Sequence, residues 1–186
     1  PFGHAEFLHR VRNMLEVWLL YKRQRWQVEH FEAMVRERTT ELHETRLEII
    51  RRLGRAGEYR DNETGMHIMR MSKGCQRLAL AAGLDENQAA LILQASPMHD
   101  VVKIGIPDRI LLKPGRLEGE EWEIMKTHAE VGAKILEGHS SDIMELARSI
   151  APSHHEKWDG SGYPYGSKDV AIPIEGRIAA VFDVFD

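Results

Sequence analysis

Eight side chains in the second half of the sequence have the chemistry of metal ligands. They are Glu63 and His67 in Glu-Thr-Gly-Met-His, the pair His99-Asp100, His128, the pair His154-His155, and Asp183. Imidazoles and carboxylates without a thiolate suit hard or borderline divalent cations held through nitrogen and oxygen. One ion takes about four to six such ligands, so this set points to two or three ions. Clustered ions beside a bridging carboxylate suit hydrolysis of phosphate esters.

Taken singly, each donor also has an ordinary reading. Glu63 and His67 are four apart and share one helix face, with Arg70 a turn further on, a spacing that surface helices produce by chance. Adjacent side chains diverge on a regular helix, so His99 and Asp100 reach one metal only near a helix end or when the ions sit between them. His128 follows Lys126 on an amphipathic helix and reads alone as a satisfied histidine. His154-His155 is less ordinary, lying beside Glu156-Lys157-Trp158-Asp159-Gly160 in a glycine-rich loop. Asp183 is surrounded in sequence by Ala179, Ala180, Val181, Phe182, Val184 and Phe185, where an ionised carboxylate is costly unless paired or metal-bound. The signal lies in the order and combination. His4, His9, His30, His43 and His139 read as solvated, packing or loop residues, and Trp122 and Trp158 as core or loop anchors.

The elements that must position these donors read as helical. Apolar residues Phe7, Leu8, Val11, Met14, Leu15, Trp18 and Leu19 predict a helix over 4–24. Helix continues or resumes from about Trp26 to Arg55, where Val28, Val35, Leu42 and Ile49 recur every seven residues. Their companions three residues on are Phe31, Arg38, Thr45 and Arg52, which makes half a coiled-coil seam. That stripe fits either a dimerising signalling helix or a face packed on its own domain. Gly54 and Gly57 are expected to break it. Further helices are expected over 63–82, 86–98, 118–136 and 141–150, with a loop or short strand at 104–112. A structured loop at 156–174 and a last helix from Arg177 complete the pattern.

The length of 186 residues allows one core and an appendage. No apolar run is long enough to span a bilayer and no signal peptide is visible, which argues against a membrane role. Cys75 is the only cysteine, as expected of a cytoplasmic protein in a reducing compartment. The net charge of −4 divides unevenly: residues 1–60 carry 12 Lys/Arg and 9 Asp/Glu, and residues 61–186 carry 13 and 20. An acidic domain is a poor platform for DNA, but bound ions would let it accept a small anion. The abrupt opening at Pro1-Phe2-Gly3 and the uncapped apolar end at Asp186 read as cuts from something longer.

The blocks Glu63–Arg70, His99–Asp108, Leu112–Leu117, His128–Gly132, His154–Pro164 and Arg177–Asp186 together resemble the HD-GYP domain, a subgroup of the HD phosphohydrolases. The resemblance covers residues from about 45 to 186. It implies an all-α fold, an HD-domain helical bundle preceded by a long, coiled-coil-like helical linker. It also implies hydrolysis of cyclic di-GMP to linear pGpG or GMP through a hydroxide bridging two ions. By resemblance, His67, His99, Asp100 and Asp183 would hold one ion. Asp100 would bridge to a second ion held by His128, His154 and His155, and Glu63 would serve members with a third. Iron or manganese is implied, with nickel or zinc as further options. Lys103 would sit near the scissile phosphate. Gly162-Tyr163-Pro164 is the signature loop, linked to site order and signalling-protein partners.

Two departures stand out. Val102 occupies the place where the family has glycine, and a β-branched residue there resists positive φ and adds bulk beside the ions. The sequence also ends at Asp186, before a segment with basic residues that contact substrate phosphates in the family. Residues 1–25 resemble the end of a receiver domain, giving boundaries of 1–25, 26–60 as linker and 61–186 as catalytic domain. This implies a response regulator. A homodimer through 28–49 fits the half-seam. The alternatives are hydrolysis of another cyclic dinucleotide, or a low-activity nucleotide- or partner-binding regulatory domain, for which Val102 is the support.

Overall fold

The computed structural model describes residues 3–59 and 66–185. Among these residues the protein is all-α, without a strand. Helices α1 (His4–Glu58), α2 (His67–Ala81), α3 (Glu86–Ala95), α4 (Asp108–Leu111), α5 (Glu120–Ile135), α6 (Asp142–Ser153) and α7 (Ile174–Phe185) follow in order. Short 3₁₀ turns occupy Ser96–Met98, Val101–Gly105 and Asp169–Ala171. The expected loop or strand at 104–112 is thus helical in character. The last helix begins at Ile174 rather than Arg177.

The chain forms two compact units, Pro1–Arg46 and Leu47–Asp186. The described part of the first is the leading stretch of α1. Helix continues through Trp26 rather than resuming there, and Trp26 stacks on His30 with ring centroids 5.2 Å apart. Ion pairs one turn apart, Arg10–Glu6, Arg25–Glu29 and Arg36–Glu32, line the helix. Each contributes a few tenths of a kcal/mol at most. Because the helix is continuous, the seven-residue spacing extends backwards from Val28 through Tyr21, Met14 and Phe7. All of these apolar side chains are exposed.

In the second unit Gly54 and Gly57 do not end the helix. A Cβ on Gly54 would fall on the Pro97 carbonyl oxygen, and one on Gly57 would lie 3.2 Å from the Asp100 carbonyl oxygen. These glycines let the α1 backbone lie against the segment that carries His99-Asp100, a gain that offsets their poor helix propensity. Asp85 starts α3 with a reciprocal capping box to Gln88. The core joins Met71, Cys75 and Ala79 of α2 to Ala89, Ile92 and Ala95 of α3, Ile143, Ala147 and Ile150 of α6, and Ile178 of α7. Burying each large apolar side chain contributes about 1.5–3 kcal/mol. The many alanines let these helices approach closely around the polar centre they enclose.

Candidate metal centre

The local backbone explains how adjacent residues share one centre. His99 is the C-cap of the first 3₁₀ turn, and Asp100, at φ −112° and ψ 14°, begins the second. Departure from α-geometry there turns both side chains inward. Pro152 lies in the last turn of α6, where it cannot donate a backbone N–H. The helix ends at Ser153, His154 caps it and His155 follows in the turn, their ring centroids 3.9 Å apart. His128 projects from α5 and Asp183 from α7.

These residues converge into two donor groups that share Asp100. One comprises Asp100, His128, His154 and His155, the other His99, Asp100 and Asp183, with donor atoms in each within 4.8 Å of one another. Asp100 Oδ1 lies 3.2 Å from His128 Nε2 and 3.4 Å from His154 Nε2, while Oδ2 lies 3.3 Å from His99 Nε2. His99 Nε2 is 3.4 Å from Asp183 Oδ1. His67 is buried beside the second group, with Nε2 4.0 Å from Asp183 Oδ1, but lies outside its compact donor set. The expected ligand Glu63 lies outside the described residues.

The donor set fits cations. His99 Nδ1 donates to the Ser96 carbonyl at 2.8 Å, His128 Nδ1 to Met125 at 2.6 Å, and His154 Nδ1 to Ala151 at 2.8 Å. With the proton that each Nδ1 donates held by a backbone carbonyl, the rings are fixed in orientation and Nε2 of each faces the centre. His99 Nε2, His154 Nε2 and Asp100 Oδ1 are buried without a hydrogen-bond partner among the described residues. His155 and His128 face each other Nε2 to Nε2 at 3.1 Å. Lone pairs converging on a buried carboxylate need a positive charge between them.

Electrostatics agree. Burial pushes the Asp100 carboxyl up, but His99 and Lys103 outweigh it and hold it well below the usual carboxylate range. Burial also raises Asp183, yet the neighbouring His99 brings it down to about 2. Burial and then His154 push His155 down to about 2, so its ring is a neutral donor. Burial disfavours the His99 cation, but Asp100 and Asp183 prevail and raise its pKa well above the ordinary value.

His99 is therefore expected to carry a second proton when no ion is bound, and an ion binding at its Nε2 would displace that proton. Apparent metal affinity is expected to rise with pH until His99 is neutral, and to fall as acid refills it. Titration calorimetry with manganese in buffers of different ionisation enthalpy should register proton release near neutral pH. Buffer-independent heats would contradict this assignment.

Lys103 Nζ lies 2.6 Å from Asp100 Oδ2, so Val102 does not draw the lysine away from the centre. Val102 lies in the second 3₁₀ turn and is not among the residues with positive φ. The expected backbone conflict is absent: its side chain is buried against α5 near Gly132 instead.

A sequence profile of the HD domain matches residues 32–186. The chain belongs to the HD domain family. Over 146 residues (78% of this chain, 28% of the relative), it is 50% identical to 3'3'-cGAMP-specific phosphodiesterase 2 of Vibrio cholerae. It is 48% identical over 155 residues to a cyclic di-GMP phosphodiesterase of Thermotoga maritima, covering 83% of this chain and 42% of that one. It is 39% identical over its whole length to the cyclic di-GMP phosphodiesterase response regulator RpfG of Xanthomonas campestris, 49% of which is covered. The chain thus spans less than half the length of each of these relatives.

The signature loop of this HD domain packs directly on the donors. Tyr163 stacks on His155 at 4.7 Å between centroids, and its backbone N–H donates to the His155 carbonyl at 3.2 Å. Glu156, absent from the expected site, is buried and accepts from the Tyr165 N–H at 2.7 Å, tying the loop to the end of α6. Its sequence signal was an acid placed directly after two ligands. Trp122 was expected as an anchor, yet it remains 41% exposed and lines a cleft of about 440 Å³ with His154, His155 and Tyr163. No helix among the described residues is long and apolar enough to cross a membrane.

Proposed function

We propose that this HD domain is an HD-GYP metal-dependent phosphodiesterase that opens a cyclic dinucleotide, cyclic di-GMP in the first instance, to pGpG or GMP. The observation carrying this reading is the buried Asp100 carboxylate shared by two groups of cation donors. The names of the relatives, phosphodiesterases of cyclic di-GMP or 3'3'-cGAMP, support a cyclic dinucleotide as the substrate class. Two divalent ions, iron or manganese, fit the nitrogen and oxygen donors. When bound, they supply Lewis acidity and an activated water at neutral pH.

The chain's own residues do the rest. His67, His99 and Asp183 flank one side of Asp100, and His128, His154 and His155 the other. Glu63 is assigned to a third ion. Lys103, held at Asp100 Oδ2, places its positive charge beside the centre, where it neutralises charge growing on a phosphoryl oxygen. Tyr163 closes over His155 and limits water around that ring. Its phenol is pushed up by burial, then by Asp100, and stays a neutral donor.

Metal-reloaded protein incubated with cyclic di-GMP and 3'3'-cGAMP, with products separated by chromatography, tests the reading. Linear dinucleotide or mononucleotide is expected, and none from a His99→Ala, Asp100→Ala protein. Nucleotide binding without turnover at full metal content would favour the regulatory alternative.

The boundaries 1–25, 26–60 and 61–186 are retained as receiver end, linker and catalytic domain. The exposed stripe from Phe7 to Ile49 is assigned to pairing with a second copy, and the Gly162-Tyr163-Pro164 loop to signalling partners. A monomer in sedimentation at micromolar concentration would remove the first assignment. Partner capture unaffected by loop substitutions would remove the second.

A further inference from the structure

The ligand groups account for phosphate chemistry but leave one wall of the adjoining cleft without a role. Trp122 stands there in the first turn of α5, with Lys126 one turn on and Lys157 and Gly162 also lining the cleft. A tryptophan acting only as a packing anchor is expected to bury its ring, yet this one is 41% exposed beside buried imidazoles. It is also held in place: Tyr163 meets it edge-to-face at 5.6 Å and 80°, and the same tyrosine stacks on His155 at 4.7 Å. Two ring contacts therefore link Trp122 to a ligand of the first donor group, a separation that suits a base attached through its sugar to a phosphate at the ions. Lys126 Nζ makes a 2.8 Å ion pair with the exposed Glu123, and an ammonium has further N–H donors to offer.

A cyclic dinucleotide presents two phosphates and two flat bases. The donor groups and Lys103 serve the phosphate being cleaved. We propose that Trp122 is the stacking platform for one purine of that substrate, and that Lys126 and Lys157 receive the phosphate not being cleaved. Aromatic stacking is tolerant of which purine is present, because every base offers a π-face, and is worth more for a large bicyclic ring. Trp122 accordingly favours purine over pyrimidine dinucleotides without separating guanine from adenine. The inference rests on the proposed phosphodiesterase activity and adds the residue that selects the base class.

The test uses the metal-reloaded chain and three substrates: cyclic di-GMP, 3'3'-cGAMP and cyclic di-UMP. KM and kcat are measured for the unsubstituted protein, Trp122→Ala and Trp122→Phe, with metal content and thermal midpoint recorded for each. Removing the ring should raise KM for both purine substrates roughly tenfold or more and narrow the gap to cyclic di-UMP. Phenylalanine, which keeps a smaller ring, should fall between. If alanine unfolds the loop, the phenylalanine protein decides through its purine-to-pyrimidine ratio. An equal loss on all three substrates would show a merely structural role and overturn the inference, as would an unmoved KM. Failure of the unsubstituted protein on all three would overturn the phosphodiesterase reading and this inference together.

Discussion

Asp100→Ala is expected to empty both donor groups at once, whereas His128→Ala should empty only one. The reason is topological: Asp100 belongs to both groups, His128 to the first alone. Without Asp100 the first group keeps three imidazoles and no carboxylate, and the second keeps His99 and Asp183. Removing an outer-shell partner of a metal ligand typically weakens binding about 10–100-fold, and losing this shared ligand should exceed that. Phosphodiesterase turnover should fall by about three orders of magnitude or more, the scale of several kcal/mol of lost charge stabilisation. Asp100→Asn separates charge from shape, because it keeps the volume and removes the anion. It should also reduce proton release on metal addition, since Asp100 is the first of the charges that raise His99, while Asp183 remains. Elemental analysis after reloading is the direct reading. A full metal complement in the alanine protein would refute the shared-ligand arrangement.

Gly162→Ala should be the most damaging single-methyl change in the signature loop. A Cβ there would overlap Lys157 N, Glu156 Cα and the His155 carbonyl oxygen, all backbone atoms. No rotamer change relieves such a contact, so the loop itself must move. Overpacking of this kind typically costs about 1–3 kcal/mol. The movement would lift Tyr163 from His155 and disturb the first donor group, with both stability and metal retention falling. Gly105→Ala is the matched control, because a Cβ at that exposed position meets nothing. Its effect should lie within about 0.5 kcal/mol. Equal thermal midpoints for the two alanine proteins would remove the steric argument.

The clustering of candidate donors was legible because metal chemistry restricts residue type: His99, Asp100, His128, His154, His155 and Asp183 could be named before the structure brought them together. The individual helices followed from apolar periodicity, and the all-α fold from the resemblance to the HD-GYP domain. The misreadings were tertiary in origin. Gly54 and Gly57 carry a local signal for breaking a helix, but their use is close approach to Pro97 and Asp100, which only the fold reveals. The exposure of Trp122 was hidden for the same reason, since burial of one aromatic depends on what packs over it. The concern over Val102 assumed a positive φ that the 3₁₀ turn does not require.

The contact at Gly54 and Gly57 has a mechanical consequence. Helix backbone lies against the backbone of Pro97, Asp100 and Val101 with no side chain between them to yield. Side chains absorb small displacements by changing rotamer, whereas carbonyl oxygens and Cα atoms transmit them. Rotation of this stretch of α1 about its axis, even by a few degrees, or a slide along it must therefore displace the peptide units that carry His99 and Asp100. The geometry of these candidate donors is thus geared to the position of the stretch of α1 that carries Gly54 and Gly57.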